Sequence, residues 1–365
     1  MTTAISQKLL RLPSLDGWRA LSILLVLASH SHYVANYPPA LDPIFFRLLT
    51  GDLGVRCFFI ISGFLISWLM LGEYDSEGRV SLRHFYIRRV LRILPVYFAF
   101  LGILGCLSLF TPFKQTMVNW IGNLTFTTNI VESSWTSGHL WSISIEEQFY
   151  LVWPVLFVSF GLAGKPRLAL FLLSLPLCVA PIWRIITYKQ FYPDSLSLLF
   201  THFSFFNYFD CLAVGCACAF VLRRWPALVQ TKLGFRPNLV ATLALALISF
   251  PMLFGTLPHI PGRVTAALTT SFQAAGFSLL MLQSTILPDL AFYRVLNWKP
   301  VRHLGVLSYS IYIWQQIFCT SPGVFGLAPT WWFLFPGWLV SALMAAHLSY
   351  YILERPFFRL RSRFR

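Results

Sequence analysis

The chain has 365 residues, 57% hydrophobic and only 11% charged, with a formal net charge of +15. Soluble globular domains carry about 25% charged residues, so this composition excludes a single water-bounded core and makes a bilayer the solvent for most of the surface. The seven cysteines sit almost entirely inside apolar runs, without metal-ligand or redox spacing, and read as packing residues rather than as a disulfide framework or metal site.

No charged-apolar-small cleavage pattern opens the chain, so the N-terminus reads as retained. Apolar segments suited to spanning helices run over 17–35, 53–71, 90–110, 145–163, 168–187, 204–222, 238–256, 264–285, 304–320 and 332–352. Each is near the length that crosses about 30 Å of hydrocarbon at about 1.5 Å per residue. The expected fold is all-α: a polytopic integral membrane helix bundle of about ten spans with both termini cytoplasmic. This alternation leaves only Arg47, Lys114, Arg184, Lys189 and Arg263 outside, with Arg56 near the outer end of the second span. The positive charge is thus chiefly a topology signal, which argues against a nucleic-acid partner. The basic tail, 353–365, is expected on the anionic inner leaflet. No internal repeat or appended soluble module is visible, so 1–365 reads as one membrane domain.

Ionisable groups inside spans are costly and usually face a cavity, a partner or a substrate path. In "RALSILLVLASHSH", Arg19 and His30 are eleven residues apart. At about 100° per residue that is three turns plus about 20°, so the two share a face, and His32 does not. Two readings are open: a functional pair, or a snorkelling arginine and a histidine bonded to backbone.

Further along, "FFIISGFLIS" places Ser62 and Gly63 in mid-span, where small residues favour helix packing. In "FYIRRVLRILP", Arg88, Arg89 and Arg92 reach neighbouring helical positions at a span mouth. Their guanidinium forks suit a phosphorylated ligand; lipid headgroup binding or plain anchoring is the alternative. In "SGHLWSISIEEQFYLVWP", Ser144 and Glu147 have capping-box spacing, which gives Glu147 a structural role at the outer start of the fourth span. Glu146 lacks that role and shares a face with Tyr150 and Trp153. It is placed to hold the imidazole of His30, unless both glutamates simply sit in water. Asp210 either contacts substrate or caps the sixth span. Ser308, Tyr309, Tyr312, Trp314 and Gln315 line a cavity or form an aromatic girdle. Glu354 and Arg355 read as a headgroup-level ion pair.

These pieces, in order, resemble the acyltransferase-3 family of membrane-bound acyltransferases: "LDGWRALSILLVLASH", "GVRCFFIISGFLIS", "FYIRRVLRILPVY", "HLWSISIEEQFYLVWP", "LGVLSYSIYIWQQ" and "ERPF". The resemblance covers about 15–357. The family's arginine–ten residues–histidine pattern falls on Arg19 and His30, its arginine motif on Arg88, Arg89 and Arg92, and its Trp-Ser…Glu-Glu motif on Trp141, Ser142, Glu146 and Glu147. Arg56 stands where many members have an acidic or polar residue, and Gln315 where a histidine is common. The SGNH hydrolase-like domain of some relatives is absent from this sequence.

The resemblance implies transfer of an acyl group, usually acetyl, from acyl-CoA as co-substrate to a sugar hydroxyl of a surface polysaccharide or other glycoconjugate. It implies a multi-pass bacterial inner-membrane enzyme among membrane lipids, with no permanently bound cofactor. The expected roles are His30 as general base oriented by Glu146, Arg19 on donor phosphate or the oxyanion, and Arg88, Arg89 and Arg92 on the donor. A covalent acyl-His30 relay is equally open. Trp141, Ser142, Glu147, Asp210, Tyr309, Tyr312 and Trp314 are candidates to line the cavity or meet the acceptor. The rival function is a transporter or flippase for an anionic or glycolipid substrate; paired broken repeats, common in transporters, are not visible. A membrane scaffold without activity leaves Arg19, His30 and Glu146 unexplained.

Overall fold

A computed structural model describes residues 12–41, 50–131, 134–187, 203–250 and 262–364. Arg47 and Lys189 of the charge argument lie outside these residues. Among the described residues the structure is helical, with no strand.

The first helix, α1 (Leu15–Ser31), begins after Ser14, whose left-handed backbone (φ 68°) turns the chain into the bundle. Asn297 holds that turn, accepting from Ser14 N at 2.8 Å. Asp16 in the first turn suits the positive end of the helix dipole. Helix α2 (Gly51–Glu77) ends at Gly78, whose φ of 71° closes the last turn through an N–H bond to Tyr74 O. Helix α3 (Leu82–Phe110) is opened by the Ser81 side chain, which accepts from His84 N. Then come α4 (Met117–Leu124), α5 (Trp135–Gly138), α6 (Leu140–Ser159) and α7 (Pro166–Thr187). Helices α8 (Phe209–Arg224) and α9 (Pro226–Gly234) are bent 105° from each other, where Pro226 starts a new helix instead of continuing the old one. The chain continues through α10 (Pro237–Ile248), α11 (Gly262–Ile286), α12 (Ala291–Leu296), α13 (Lys299–Phe318), α14 (Gly337–Ser349), one π-helical turn (Tyr350–Glu354) and α15 (Arg355–Arg361).

By length and composition, α2, α3 and α7 can each cross a membrane, and α8 with α9 pass the same test together across their 105° bend. The described residues of the other expected segments are helical over stretches shorter or more polar than that test allows, and 251–256 of the 238–256 segment lie outside the described residues. α1 pairs with α2 antiparallel and with α13 parallel, because Gly54 and Gly305 let backbones meet: Gly54 abuts Ser22 O and Gly305 abuts Asp16 O. The tightest pairing is α2 with α8. A Cβ at Gly63 would overlap the carbonyl of Leu212, and one at Gly215 the carbonyl of Ile60. The packing expected at Gly63 is thus present, as small residues permit in membrane helices.

Two ionic clamps tie the periphery to this centre. At one end Asp75 receives Arg223 at 2.6 Å and Arg224 at 2.8 Å, and Arg224 also donates to Ala163 O. Deeper, Arg184 of α7 meets Asp210 of α8 at 2.6 Å, with both side chains buried. Arg184 further donates to Asn207 O and Ala267 O, and Ser271 donates to Asp210 Oδ2 at 2.7 Å. Asp210 is therefore neither substrate-facing nor cavity-lining. A buried carboxylate needs a counter-charge and full hydrogen bonding, and α7 and α11 supply both.

Glu354 also departs from expectation. The π turn directs it inward onto Ser310 of α13, from which it accepts a hydrogen bond, and it is buried. Arg355 instead lies over the Tyr351 ring.

Candidate active site

A cavity of about 670 Å³ opens where α2 ends and α3 begins, and runs into the bundle. Its walls carry Arg19 of α1, Arg88, Arg89 and Arg92 of α3, and Arg361 of α15. Helical spacing explains the α3 trio, and α1 adds Arg19 because the start of α1 lies at the same depth as the inner half of α3. Further lining comes from Ser62, Ser142, Glu146, Tyr150, Tyr309 and Tyr312.

The arginines differ in what they already hold. Arg88 pairs with Glu73 at 2.6 Å and donates to Phe364 O at 2.9 Å. Arg89 lies 3.7 Å from Glu146 and 3.5 Å from Glu147, with its guanidinium 3.4 Å above the Tyr150 ring. Arg19 and Arg92 are half-buried and make no ion pair or hydrogen bond with any described residue. Neither guanidinium has a carboxylate within ion-pair distance, although Glu146 and Glu354 act on both from further away, and guanidinium forks of this kind suit anions.

Glu146 accepts from Ser62 Oγ at 2.6 Å, so Ser62 serves polar chemistry as well as packing. The expected Glu146–His30 contact is replaced by these partners. The reason is depth. Helix α6 starts at Leu140, not near Ser144, so Glu146 lies about 9 Å into it at about 1.5 Å per residue. That brings it level with the arginines, whereas His30 ends α1 at the opposite side of the bundle. The capping box fails for the same reason: Ser144 is inside the helix, its Oγ bonded to Leu140 O at 3.1 Å, and Glu147 faces Arg89.

His30 is held by Gln315 of α13, with 2.9 Å from imidazole Nδ1 to Oε1. Gln315 is fully buried, and its Nε2 donates to Gln316 Oε1 at 2.9 Å; Gln316 Nε2 in turn donates to Trp135 O at 2.9 Å. This chain fixes the Gln315 amide with its oxygen towards His30. Nδ1 therefore carries the proton and Nε2 keeps a lone pair. Nε2 has no hydrogen-bond partner among the described residues and is not sealed from open space.

Between His30 and the arginine cavity stand Ser142, Tyr312 and His139. Tyr312 Oη is 2.6 Å from Ser142 Oγ and donates to His139 O at 2.8 Å, and His139 Nε2 lies 3.1 Å from Ile313 O. His139 and Gln316 escaped the sequence reading, although His139 lies within the quoted "SGHLW". Tyr309 lines the cavity and donates to Ile93 O at 2.9 Å. Trp141 does not line it; its ring packs among Phe203, Tyr208 and Phe59. Trp314 packs on Phe100 and is not a lining residue either. Arg56 meets Asp52 at 3.4 Å and donates to Gln273, apart from the cavity.

On the far side of His30 a second cavity, about 520 Å³, is bounded by Tyr33, Trp135, Lys114 and the hydroxyls that follow α13. The bundle thus has a cationic cavity entered from one end, a separate cavity at the other, and a histidine with a free ring nitrogen between them. No group of three or more metal-ligating side chains occurs among the described residues.

The chain is 27% identical, over 97% of its length, to the peptidoglycan O-acetyltransferase OatA of Listeria monocytogenes. It is 28% identical, over 94% of its length, to the O-acetyltransferase OatA of Staphylococcus aureus. It spans 57% of the length of each of these relatives. No solved structure matches it. Residues 12–352 match the family described as an acyltransferase domain, nearly the whole sequence. The chain therefore belongs to the acyltransferase-3 family.

Proposed function

We propose that this chain is a bacterial membrane O-acyltransferase that moves an acyl group, acetyl in the simplest case, from acyl-CoA to a hydroxyl of a surface carbohydrate. The observation that carries the reading is Arg19 and Arg92, neither in an ion pair, in one cavity whose Ser142 and Tyr312 wall stands between it and His30. Coenzyme A brings several phosphates on a long flexible arm, which matches an anion site at a cavity mouth with the reacting group deeper inside. The arginine end is then cytoplasmic and the His30 end external, in the inner membrane. The relatives' names, which specify O-acetylation and in one case peptidoglycan, support a glycan acceptor.

In the reaction, the acceptor hydroxyl gives its proton to His30 Nε2 as its oxygen attacks the thioester carbonyl. The tetrahedral oxyanion collapses, the carbon–sulfur bond breaks, and the proton passes from His30 to the departing thiolate. Gln315 holds the ring in the tautomer that makes Nε2 the base. Glu146, bonded to Ser62 and near Arg89, balances the arginine cluster rather than the imidazole.

The test is label transfer from acetyl-CoA carrying a labelled acetyl group to cell-envelope glycan, in membranes containing the chain. A positioned base contributes about 10²–10⁴-fold, so His30→Ala is expected to slow transfer at least 10²-fold. Near-normal transfer by that variant removes His30 from the mechanism. Label that crosses the membrane without joining glycan favours the transporter.

A further inference from the structure

The cavity beyond His30 shares no lining residue with the arginine cavity, yet one of its walls is also a neighbour of the histidine. Trp135 lines it, its ring 5.7 Å from the His30 ring and 4.8 Å from the ring of Tyr33, which lines the same cavity. Both aromatics are exposed. Around them stand the hydroxyl-bearing Ser134 and Ser321, with Thr136 and Thr320 buried behind the wall. Two tilted aromatic faces ringed by hydroxyls suit a ligand that has apolar faces and a polar rim, and a pyranose ring has both.

The platform is built in, not incidental. Trp135 Nε1 donates to Cys319 O at 3.4 Å, and its carbonyl accepts from Gln316 Nε2, so both its ring and its backbone are tied to the end of α13. The other end of the same amide chain is Gln315, on His30. One pair of adjacent glutamines therefore sets the position of the platform relative to the base. A ring lying on Trp135 is held beside the imidazole without a further adapter.

We infer that this outer cavity is the acceptor subsite, in which a sugar ring of the glycan stacks on Trp135 and Tyr33 and presents a hydroxyl to His30. The inference rests on the acyl-transfer reading above.

The test measures initial rates of label transfer against the concentration of cell-envelope glycan for the full chain in membranes, together with coenzyme A binding by the same membranes. Loss of a stacking face costs about tenfold in affinity. Trp135→Ala is expected to raise the half-saturating glycan concentration about that much and leave coenzyme A binding unchanged, with Trp135→Phe recovering most of it. An unchanged half-saturating concentration in Trp135→Ala, whatever its maximal rate, overturns the subsite. No transfer by the unaltered chain overturns the acyl-transfer reading itself, and the subsite with it. Coenzyme A binding shows that a variant is folded, so misfolding is not mistaken for a lost subsite.

Discussion

Gln315→Leu is the sharpest probe of the arrangement around His30. The substitution keeps approximate volume at a fully buried position but removes the oxygen 2.9 Å from Nδ1. A buried donor left without its acceptor costs about 1–3 kcal/mol. At about 1.4 kcal/mol per factor of ten, that loss lowers the maximal rate roughly 5- to 150-fold when it falls wholly on the orientation of the base. Initial rates in membranes, with donor and glycan varied separately, show where it falls. The expected outcome is a lower kcat with the half-saturating acyl-CoA concentration within about twofold of the parent, since Gln315 does not line the arginine cavity; the glycan value shifts only as far as Gln316 and Trp135 move with the lost amide. A double-mutant cycle sharpens the test: in a chain already lacking His30, the Leu substitution is expected to cost nothing more. A kcat within about threefold of the parent in a folded Gln315→Leu protein, or an equal further loss on the His30→Ala background, refutes the positioning role.

Two other outcomes follow from groups of opposite character. Arg92→Ala removes one of the two cavity arginines that form no ion pair, and hydrogen bonds to charged groups contribute about 1.5–3 kcal/mol; the half-saturating acyl-CoA concentration is expected to rise roughly 10- to 150-fold, read from initial rates, with Arg92→Lys recovering only part because the fork is lost. Asp210→Ala leaves buried Arg184 without its carboxylate; breaking such a pair costs about 3–5 kcal/mol, seen as a lower unfolding midpoint, while donor half-saturation in the folded fraction stays unchanged because neither residue touches a cavity.

What the sequence discloses is angular. The turn per residue places Arg19 and His30 on one face and gathers Arg88, Arg89 and Arg92 at one mouth, and apolar composition announces helices and membrane. Depth is a different matter. Whether Glu146 meets His30 or Arg89 depends on where α6 starts relative to α1, and the start at Leu140 follows His139, which α13 holds through Tyr312 and Ile313. Likewise Asp210 reads as either substrate-facing or a helix cap until Arg184, 26 residues earlier, is seen to reach it. Glu354 reads as a surface charge because a π turn, which reorients a side chain by one position, has no local signature. Gln315 and Gln316 look like two more polar residues in a mixed segment; their role arises only when α1 and the Trp135 loop close on them.

The backbone-to-backbone contacts of α1, α2, α8 and α13 have a consequence for how two reactants meet. The carbonyls of these helices fill each other's glycine notches, and the span of α1 from Arg19 to His30 is about 16 Å. On the acyl-transfer proposal, with the arginines as anion clasp, the travelling part belongs to the donor: a tether of about that reach, with charge at one end and the transferable group at the other. Compounds that carry an acyl group directly on a phosphate would be held at the clasp and never arrive.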